Sequence, residues 1–198
     1  MQDMKRRVLM VLLSLMVGIA ATSQESDGQE KYLKAGAVPV VEGKVVFSDS
    51  VSIVQGYSSQ QVNAIARSWI DGYLKENKGP KNRVVTDADG RIDAMAQIEI
   101  VFTKNSFSYD RAMMNFVVSL NTSADKCQLT ISRISYNYND GTDMELIMAE
   151  DYITDANAVN KKGTRLFPIT GKFIQNSSAF VTDSFHSFQL SIHIKTPH

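Results

Sequence analysis

Apolar and polar residues alternate or recur along this chain in ways that predict a strand, a helix and then a series of strands. Residues 45–54 alternate apolar and small polar side chains and are rich in β-branched types, which is typical of a strand. Ser58 and Gln61 form a capping-box pattern that predicts a helix start. The apolar positions that follow have helical spacing and predict a helix of about 18 residues. These positions are Val62, Ile65, Ala66, Trp69, Ile70, Tyr73 and Leu74.

Two hairpins are expected after this helix. Segments 82–87 and 91–102 flank Ala88-Asp89-Gly90, and an Asp-Gly step favours a tight turn with positive φ. Segments 112–122 and 126–138 flank a second short polar turn. Uninterrupted alternation in the last strand places Leu129, Ile131, Arg133, Ser135 and Asn137 on one face, and Gln128, Thr130, Ser132, Ile134, Tyr136 and Tyr138 on the other.

Helical spacing returns in the C-terminal third. Residues 144–153 are predicted to be helical, and residues 154–162 form a short helix or a loop closed by Gly163. Pro168 argues against a regular helix across 167–170, so the last helix is expected from about 171 to 192. The order β-α-β-β-β-β-α indicates an α+β architecture, with an antiparallel sheet of about five strands packed on helices.

The N-terminus has the features of a secretory signal peptide. Three basic residues, Lys5 to Arg7, precede an apolar run, and small residues follow from Gly18 to Ser23. The run from Val8 to Ala21 is shorter than the roughly 20 residues of a membrane-spanning helix, so an uncleaved anchor is the weaker alternative. Cleavage is expected before Gln24, with cuts after Ala20 or Ala21 as alternatives.

This interpretation divides the chain into four parts. Residues 1–23 are the signal peptide, 24–37 a flexible polar leader, 38–192 a single domain and 193–198 a C-terminal tail. An extended run from Ile192 is the alternative for the C-terminus. The mature protein is expected to be periplasmic or extracellular, with no stable membrane insertion after cleavage.

The charge balance argues against a nucleic-acid partner. The chain has 21 basic and 21 acidic residues, and removal of residues 1–23 leaves a weakly acidic protein. Such a chain has no general attraction to phosphate backbones, and no basic stripe is apparent.

Residues that could carry chemistry form no recognised motif. Cys127 is the only cysteine, so it makes no intramolecular disulfide, and a buried thiol is favoured over a reactive one. His186 and His193 are seven residues apart and lack a third ligand nearby. The acidic run from Asp87 to Asp93 departs from the EF-hand template and favours a hairpin. We therefore expect no catalytic residue, no metal site, no cofactor and no enzymatic activity.

Several short motifs together resemble a family of exported Bacteroidetes proteins, a domain of unknown function with a TATA-binding-protein-like fold. They are Val45-Val46-Phe47, Ala66-x-x-Trp69, Tyr109-Asp110-Arg111, Ile134-x-Tyr136-x-Tyr138, Tyr152-Ile153-Thr154-Asp155 and Gly171-Lys172-Phe173, spread over about residues 38–190. The resemblance implies a curved antiparallel sheet that grips a long C-terminal helix, a helix-grip-like arrangement. It implies no catalytic residues.

The expected function is that of a non-catalytic binding or interaction module of the cell envelope. Its partner would be an envelope protein or a small apolar or peptide-like ligand, held in the groove between sheet and helix. Trp69, Tyr109, Tyr136 and Tyr138 are the candidate ligand-binding residues, because aromatic side chains give large contact areas at low entropy cost. The default role of Trp69 is that of a core anchor on the helix, and sheet packing is favoured for the tyrosines. A periplasmic hydrolase and a structural subunit of an envelope assembly are the alternative functions.

Overall fold

The computed structural model describes residues 29–53, 56–139 and 143–194. The predicted signal peptide, the start of the predicted leader and residues 195–198 lie outside these ranges. The elements are β1 (Val40–Val41), β2 (Lys44–Ser52), α1 (Ser59–Glu76), β3 (Arg83–Ala88), β4 (Arg91–Lys104), β5 (Tyr109–Thr122), β6 (Lys126–Asn139), β7 (Met144–Met148), α2 (Ala149–Tyr152), α3 (Asp155–Ala158) and α4 (Pro168–Ile194).

The strands of the described ranges form an antiparallel sheet in the order β1-β2-β6-β5-β4-β3, with β7 paired to β6 beside β2. The predicted α+β class is confirmed, and the sheet has seven strands instead of about five. The two additional strands are the short β1 and β7, which lie at the periphery. The β3–β4 hairpin has the predicted tight turn, in which Asp89 and Gly90 adopt φ of 55° and 75°.

The long helices α1 and α4 pack on one face of the sheet, which we call the covered face. Helix α1 begins as predicted: the Ser58 hydroxyl accepts from the Gln61 N–H at 3.3 Å, and the Gln61 side chain accepts from the Ser58 N–H at 2.8 Å. Its apolar stripe turns Trp69 and Tyr73 toward α4, where Phe180 and Phe188 meet them. The opposite side of the sheet, the open face, has no helix packed on it among the described elements.

The predicted helix over residues 144–153 is wrong in its first half. Residues 144–148 form β7, which pairs with Ser135 to Asn139 of β6, and helix α2 begins only at Ala149. Backbone hydrogen bonds to β6 override the helical spacing here, because a non-local strand partner is available. Ile147 is buried, and its neighbours on β7 are exposed.

Helix α4 starts earlier than predicted. Pro168 is its first residue, where proline is tolerated because the missing N–H would have no intrahelical partner and the fixed φ suits a helix. Proline therefore marks the beginning of this helix and does not interrupt it. The helix continues to Ile194, two residues beyond the predicted end.

The chain just before β1 also differs from the predicted leader. Residues 29–33 are helical, and Tyr32 and Val38 are buried in the hydrophobic core. The Tyr32 hydroxyl donates to the Gln175 carbonyl oxygen at 3.4 Å, which ties this segment to α4. The polar composition of residues 24–34 concealed the single aromatic side chain that anchors it.

Strand β6 does not alternate without interruption. Asn115 of β5 pairs with Ser135, and Val117 pairs with Ser132, so β6 carries one extra residue at a bulge. Arg133 lies in this bulge with φ of 53°. The bulge changes the phase of the strand, so that Cys127, Leu129, Ile131, Ile134 and Tyr136 all reach the core. This shift explains why neither predicted face of the strand was cleanly apolar.

Candidate functional site

The predicted ligand groove between sheet and α4 is filled by aromatic side chains. Phe173 is fully buried, and its ring lies 4.6 Å from Phe102, 4.9 Å from Tyr136 and 5.1 Å from Tyr152, measured between centroids. The ammonium group of Lys172 lies over the rings of both Phe102 and Phe173. This part of the covered face is therefore a packed core.

Two of the four predicted ligand-binding residues lie in this covered interior. Tyr136 is fully buried, and its hydroxyl forms a 2.8 Å hydrogen bond with Ser177. Trp69 lies near the other end of α4, stacks on Tyr73 at 4.8 Å and donates its indole N–H to Ser187 at 3.3 Å. Both have their polar atoms engaged and their rings in contact with neighbouring side chains, as core aromatic residues do.

The other two predicted ligand-binding residues, Tyr138 and Tyr109, lie apart from each other and contact charged side chains. The Tyr138 hydroxyl accepts from the Lys172 ammonium group at 2.6 Å, and that group also pairs with Asp110 at 2.7 Å. Tyr109 is exposed on the open face, donates to Glu99 at 2.7 Å and lies beneath the guanidinium of Arg111. Tyr136 and Tyr138 meet around Phe173, whereas Trp69 and Tyr109 are separate from them. The four residues do not line one site.

A groove of about 520 Å³ lies on the open face, across β3 to β6. Its volume is within the range of about 300–1,000 Å³ that is usual for small-molecule sites. Polar and charged side chains mix there with exposed apolar ones. The lining includes Lys81, Val85, Arg91, Asp93, Met95, Val117, Ser119 and Arg133.

Asp93 is the acidic residue of this groove, and its two oxygens are already engaged. One accepts from the Ser119 hydroxyl at 2.6 Å and the other from the Arg91 guanidinium at 2.8 Å. Partial burial raises the pKa of this carboxyl group, but the hydrogen bonds from Arg91 and Ser119 and the charges of Arg91 and Arg133 outweigh it. The net effect is a lowered pKa, so Asp93 is ionised at neutral pH.

Strand β3 forms one wall of the groove, and the loop before it packs closely against β4. Asn82 accepts from the Gln97 N–H at 2.6 Å with its side-chain oxygen and donates to the Leu74 carbonyl at 3.2 Å. Gly79 lies so close to the Gln97 carbonyl that a side chain there would collide with the backbone. The Gln97 amide then donates to Asn115 on β5 at 2.7 Å. These contacts connect the loop to the centre of the sheet.

A smaller cavity of about 290 Å³ lies on the covered side, between the N-terminal segment and α4. Its lining includes the aromatic side chains of Tyr32, Phe47 and Phe185. The Ser178 hydroxyl, also in the lining, is buried without a hydrogen-bond partner among the described residues. This cavity has one charged residue in its lining, Lys31, whereas the open-face groove has four.

The residues considered for catalysis do not converge. Cys127 is fully buried on β6, and burial raises the pKa of its thiol to about 12, so the thiol is protonated at neutral pH. His186 is exposed on α4, and the side chain of His193 lies outside the described part of the chain. No cluster of three or more metal-ligating side chains occurs among the residues that the structure describes. Within the same ranges, no helix has the length and hydropathy to cross a membrane.

The groove residues were missed at the sequence level because the bulge that brings them together depends on strand register. One signal was present. Ile131 and Ile134 are apolar residues three positions apart in a strand, and an odd separation within one buried face indicates an inserted residue. Placing a bulge between them assigns Ser132 and Ser135 to the open face, where both line the groove.

Comparison with known proteins places the chain in a family. The family model "Domain of unknown function (DUF4468) with TBP-like fold" matches residues 47–137. A DUF4468 family protein from Bacteroides ovatus is 32% identical with a TM-score of 0.77, covering 85% of this chain and 96% of that chain. A TBP-like protein from Parabacteroides distasonis is 17% identical with a TM-score of 0.64, covering 79% and 97%, a likeness of fold alone. No curated protein matches the sequence.

These matches confirm the family resemblance and the fold that the short motifs implied. The B. ovatus protein is covered almost end to end at more than 30% identity. The chain therefore belongs to the DUF4468 family, a domain of unknown function with a TBP-like fold.

Proposed function

We propose that this protein is an exported, non-catalytic binding module of the cell envelope, and that its ligand site is the groove on the open face. The groove of about 520 Å³ is the single observation that carries this proposal. Small-molecule sites typically combine an apolar surface with a few converging polar groups, as this groove does. The space between sheet and α4, where a ligand was first expected, is occupied by Phe173 and its neighbours.

A ligand in the groove would meet a stable surface. The groove spans β3 to β6; β4, β5 and β6 are each 14 residues long, and their buried faces line the core. Side chains on such strands are positioned more accurately than side chains on loops. Binding without chemistry is favoured because Cys127 is buried and protonated, and Asp93 is ionised and hydrogen-bonded.

A titration with 8-anilinonaphthalene-1-sulfonate, an amphiphilic anion whose fluorescence rises in apolar surroundings, tests the site. We expect saturable binding, with amide chemical-shift changes in ¹⁵N-labelled protein confined to β3, β4, β5 and β6 around the groove. Met95→Glu, within the groove, should weaken binding at least tenfold. Met144→Glu makes the same change on the exposed edge strand β7 and should leave the affinity unchanged. Shift changes concentrated on α4, or equal effects of the two variants, would refute the groove as the site.

Export is a separate part of the proposal and is supported by the N-terminal pattern of residues 5–23. Fractionation of the native organism, followed by mass measurement of the intact protein, tests it. We expect an envelope or extracellular protein of 175 residues that begins at Gln24, with a start at Ala21 or Thr22 as the alternative. Full-length protein in the cytosol would refute export.

A structural subunit of an envelope assembly is the second candidate, and one observation favours it. Met144, Leu146 and Met148 form a row of exposed apolar side chains on β7, which pairs with β6 alone among the described strands. An unprotected edge of this kind can accept an additional strand from another protein. Sedimentation velocity on native protein and on Leu146→Glu tests this role. A larger species that the substitution dissociates would support it, and a monomer at all concentrations would contradict self-assembly.

A further inference from the structure

We propose that the open-face groove binds an anionic amphiphile, a small molecule with one anionic headgroup and an apolar body, and that Arg133 recognises the headgroup. This inference rests on the proposed function and adds the class of ligand and the residue that selects it. Three features of the groove support it: the backbone of Arg133, the local charge, and the exposed apolar side chains beside the cations.

The backbone of Arg133 is held in a conformation that costs free energy. Its φ of 53° lies in the left-handed region, which glycine adopts freely and other L-residues adopt only with a steric clash of their Cβ atom. The bulge requires this conformation, and glycine or asparagine would meet the requirement more easily. Strained residues of this type concentrate at ligand sites, where the surrounding structure enforces them. An exposed arginine at this strained position therefore indicates that its guanidinium group has a functional role in ligand binding.

The charges around the groove are not balanced. Lys81, Arg91 and Arg133 line it together with one carboxylate, Asp93. Arg91 is paired with that carboxylate at 2.8 Å, whereas Lys81 and Arg133 form no ion pair with any described residue. A chain with equal numbers of acidic and basic residues thus carries a local excess of positive charge at its groove. An anion complements it, and the planar guanidinium suits a carboxylate or phosphate.

The remaining lining favours an apolar body on the ligand. Val85 and Met95 are 57% and 38% exposed, and Val117 is half-buried on the neighbouring strand. Removing these side chains from water on binding is favourable in proportion to the apolar surface that is buried. A small inorganic anion leaves them exposed, and a neutral hydrocarbon leaves the cations without a partner. A molecule with both parts satisfies the whole groove.

The experiment is a displacement titration with the full mature protein, in which 8-anilinonaphthalene-1-sulfonate is the reporter. Decanoate and decyl phosphate carry both parts of the proposed ligand and distinguish a carboxylate headgroup from a phosphate. Acetate carries the headgroup alone, and 1-decanol carries the apolar body alone. We expect decanoate or decyl phosphate to displace the reporter at least tenfold more effectively than acetate or 1-decanol. Equal displacement by 1-decanol would overturn the requirement for an anion.

Two substitutions at Arg133 separate its guanidinium from its backbone. Arg133→Gly and Arg133→Ala both remove the charge, but only glycine adopts the left-handed conformation without strain. We expect both variants to weaken decanoate binding at least tenfold, while Arg133→Gly melts at a higher temperature than Arg133→Ala. Arg165→Ala removes an exposed arginine outside the groove and should change the affinity by less than twofold.

The outcomes distinguish this inference from the proposed function. If Arg133→Gly binds as tightly as native protein while Met95→Glu does not bind, the groove remains the site and the role of Arg133 is wrong. If Met95→Glu also binds normally, both proposals fail. Loss of binding in both Arg133 variants, with native affinity in Arg165→Ala, supports the inference.

Discussion

The two faces of the sheet differ in the role of their side chains: one face forms the packed core, and the other carries the candidate ligand groove. On the covered face, Tyr136 packs against Phe173 and Trp69 packs against Tyr73, and the polar atoms of Tyr136 and Trp69 form hydrogen bonds with serines of α4. On the open face, the charged side chains of Arg91, Asp93 and Arg133 surround a groove on the same strands. Stability is therefore concentrated on one side of the sheet and candidate recognition on the other. A substitution should affect one property or the other according to its face.

The largest expected effect is on the covered face. Phe173→Ala should reduce the free energy of unfolding by about 3–5 kcal/mol, because it removes a buried ring and leaves a cavity. Met113→Ala, on the open face of β5, should cost about 1 kcal/mol or less. Urea unfolding followed by tryptophan fluorescence measures both. Similar losses in the two variants would show that the faces do not differ as described.

The next effect concerns the loop between α1 and β3, which contacts the sheet at Gln97. Gly79→Ala should destabilise the protein by about 1–3 kcal/mol and displace β3, because the new methyl group meets the Gln97 backbone. Gly72→Ala is the matched control: it lies in α1 with open space around it, and alanine should stabilise the helix by up to about 1 kcal/mol. Thermal unfolding gives the sign for each variant. A neutral Gly79→Ala would mean that the loop adjusts freely.

A third effect depends on pH and arises on the covered face. Burial raises the pKa of the Cys127 thiol to about 12, above the ordinary value of 9.0. Unfolded protein therefore loses this proton at a lower pH than folded protein does. The thiol's contribution to stability is fully present below about pH 9 and falls by about 1.4 kcal/mol per pH unit above it, until the folded group also ionises.

Urea titrations from pH 8 to pH 10 on native protein and Cys127→Ala measure this contribution. The native protein should show the steeper loss, and the variant should keep only the slope from other groups. Burial also raises the pKa values of Tyr73 and Tyr136, and these contribute in the same direction. Identical slopes for the two proteins would indicate that the thiol is accessible in the folded state.

The smallest expected effect is at the groove. Asp93→Asn should cost about 1 kcal/mol or less, because it weakens hydrogen bonds from Arg91 and Ser119 on a solvent-facing surface. Because the pKa of Asp93 is lowered in the folded state, its contribution is present above about pH 4 and is lost as the pH falls through the lowered value. The variant should also bind 8-anilinonaphthalene-1-sulfonate more tightly, since it removes a negative charge. Weaker binding would argue against an anionic ligand.

Local signals in the sequence predicted the local parts of the fold. The capping box at Ser58 and the Asp89-Gly90 turn were predicted correctly, because hydrogen bonds within a few residues determine both. Strand β7 was mistaken for helix because its partner β6 is supplied by tertiary structure. The start of α4 was misplaced because proline breaks a helix interior but suits a helix start.

The candidate site was harder to predict than the fold. The tyrosines and Trp69 are candidates because they are aromatic, but residue type alone does not determine which face of a strand or helix a side chain occupies. Arg133 was assigned to a face by strict alternation, and the bulge removed the basis for that assignment. A groove made of residues from four strands depends on register at every pair, and a one-residue shift changes its lining.

The burial of the single thiol has a practical use. Cys127 is enclosed in the core, so a cysteine introduced on the open face would be the reactive one in native protein. One fluorophore or spin label could then be attached beside the groove without first removing the natural cysteine. A label placed on each strand of the groove in turn would show whether a ligand binds next to that strand.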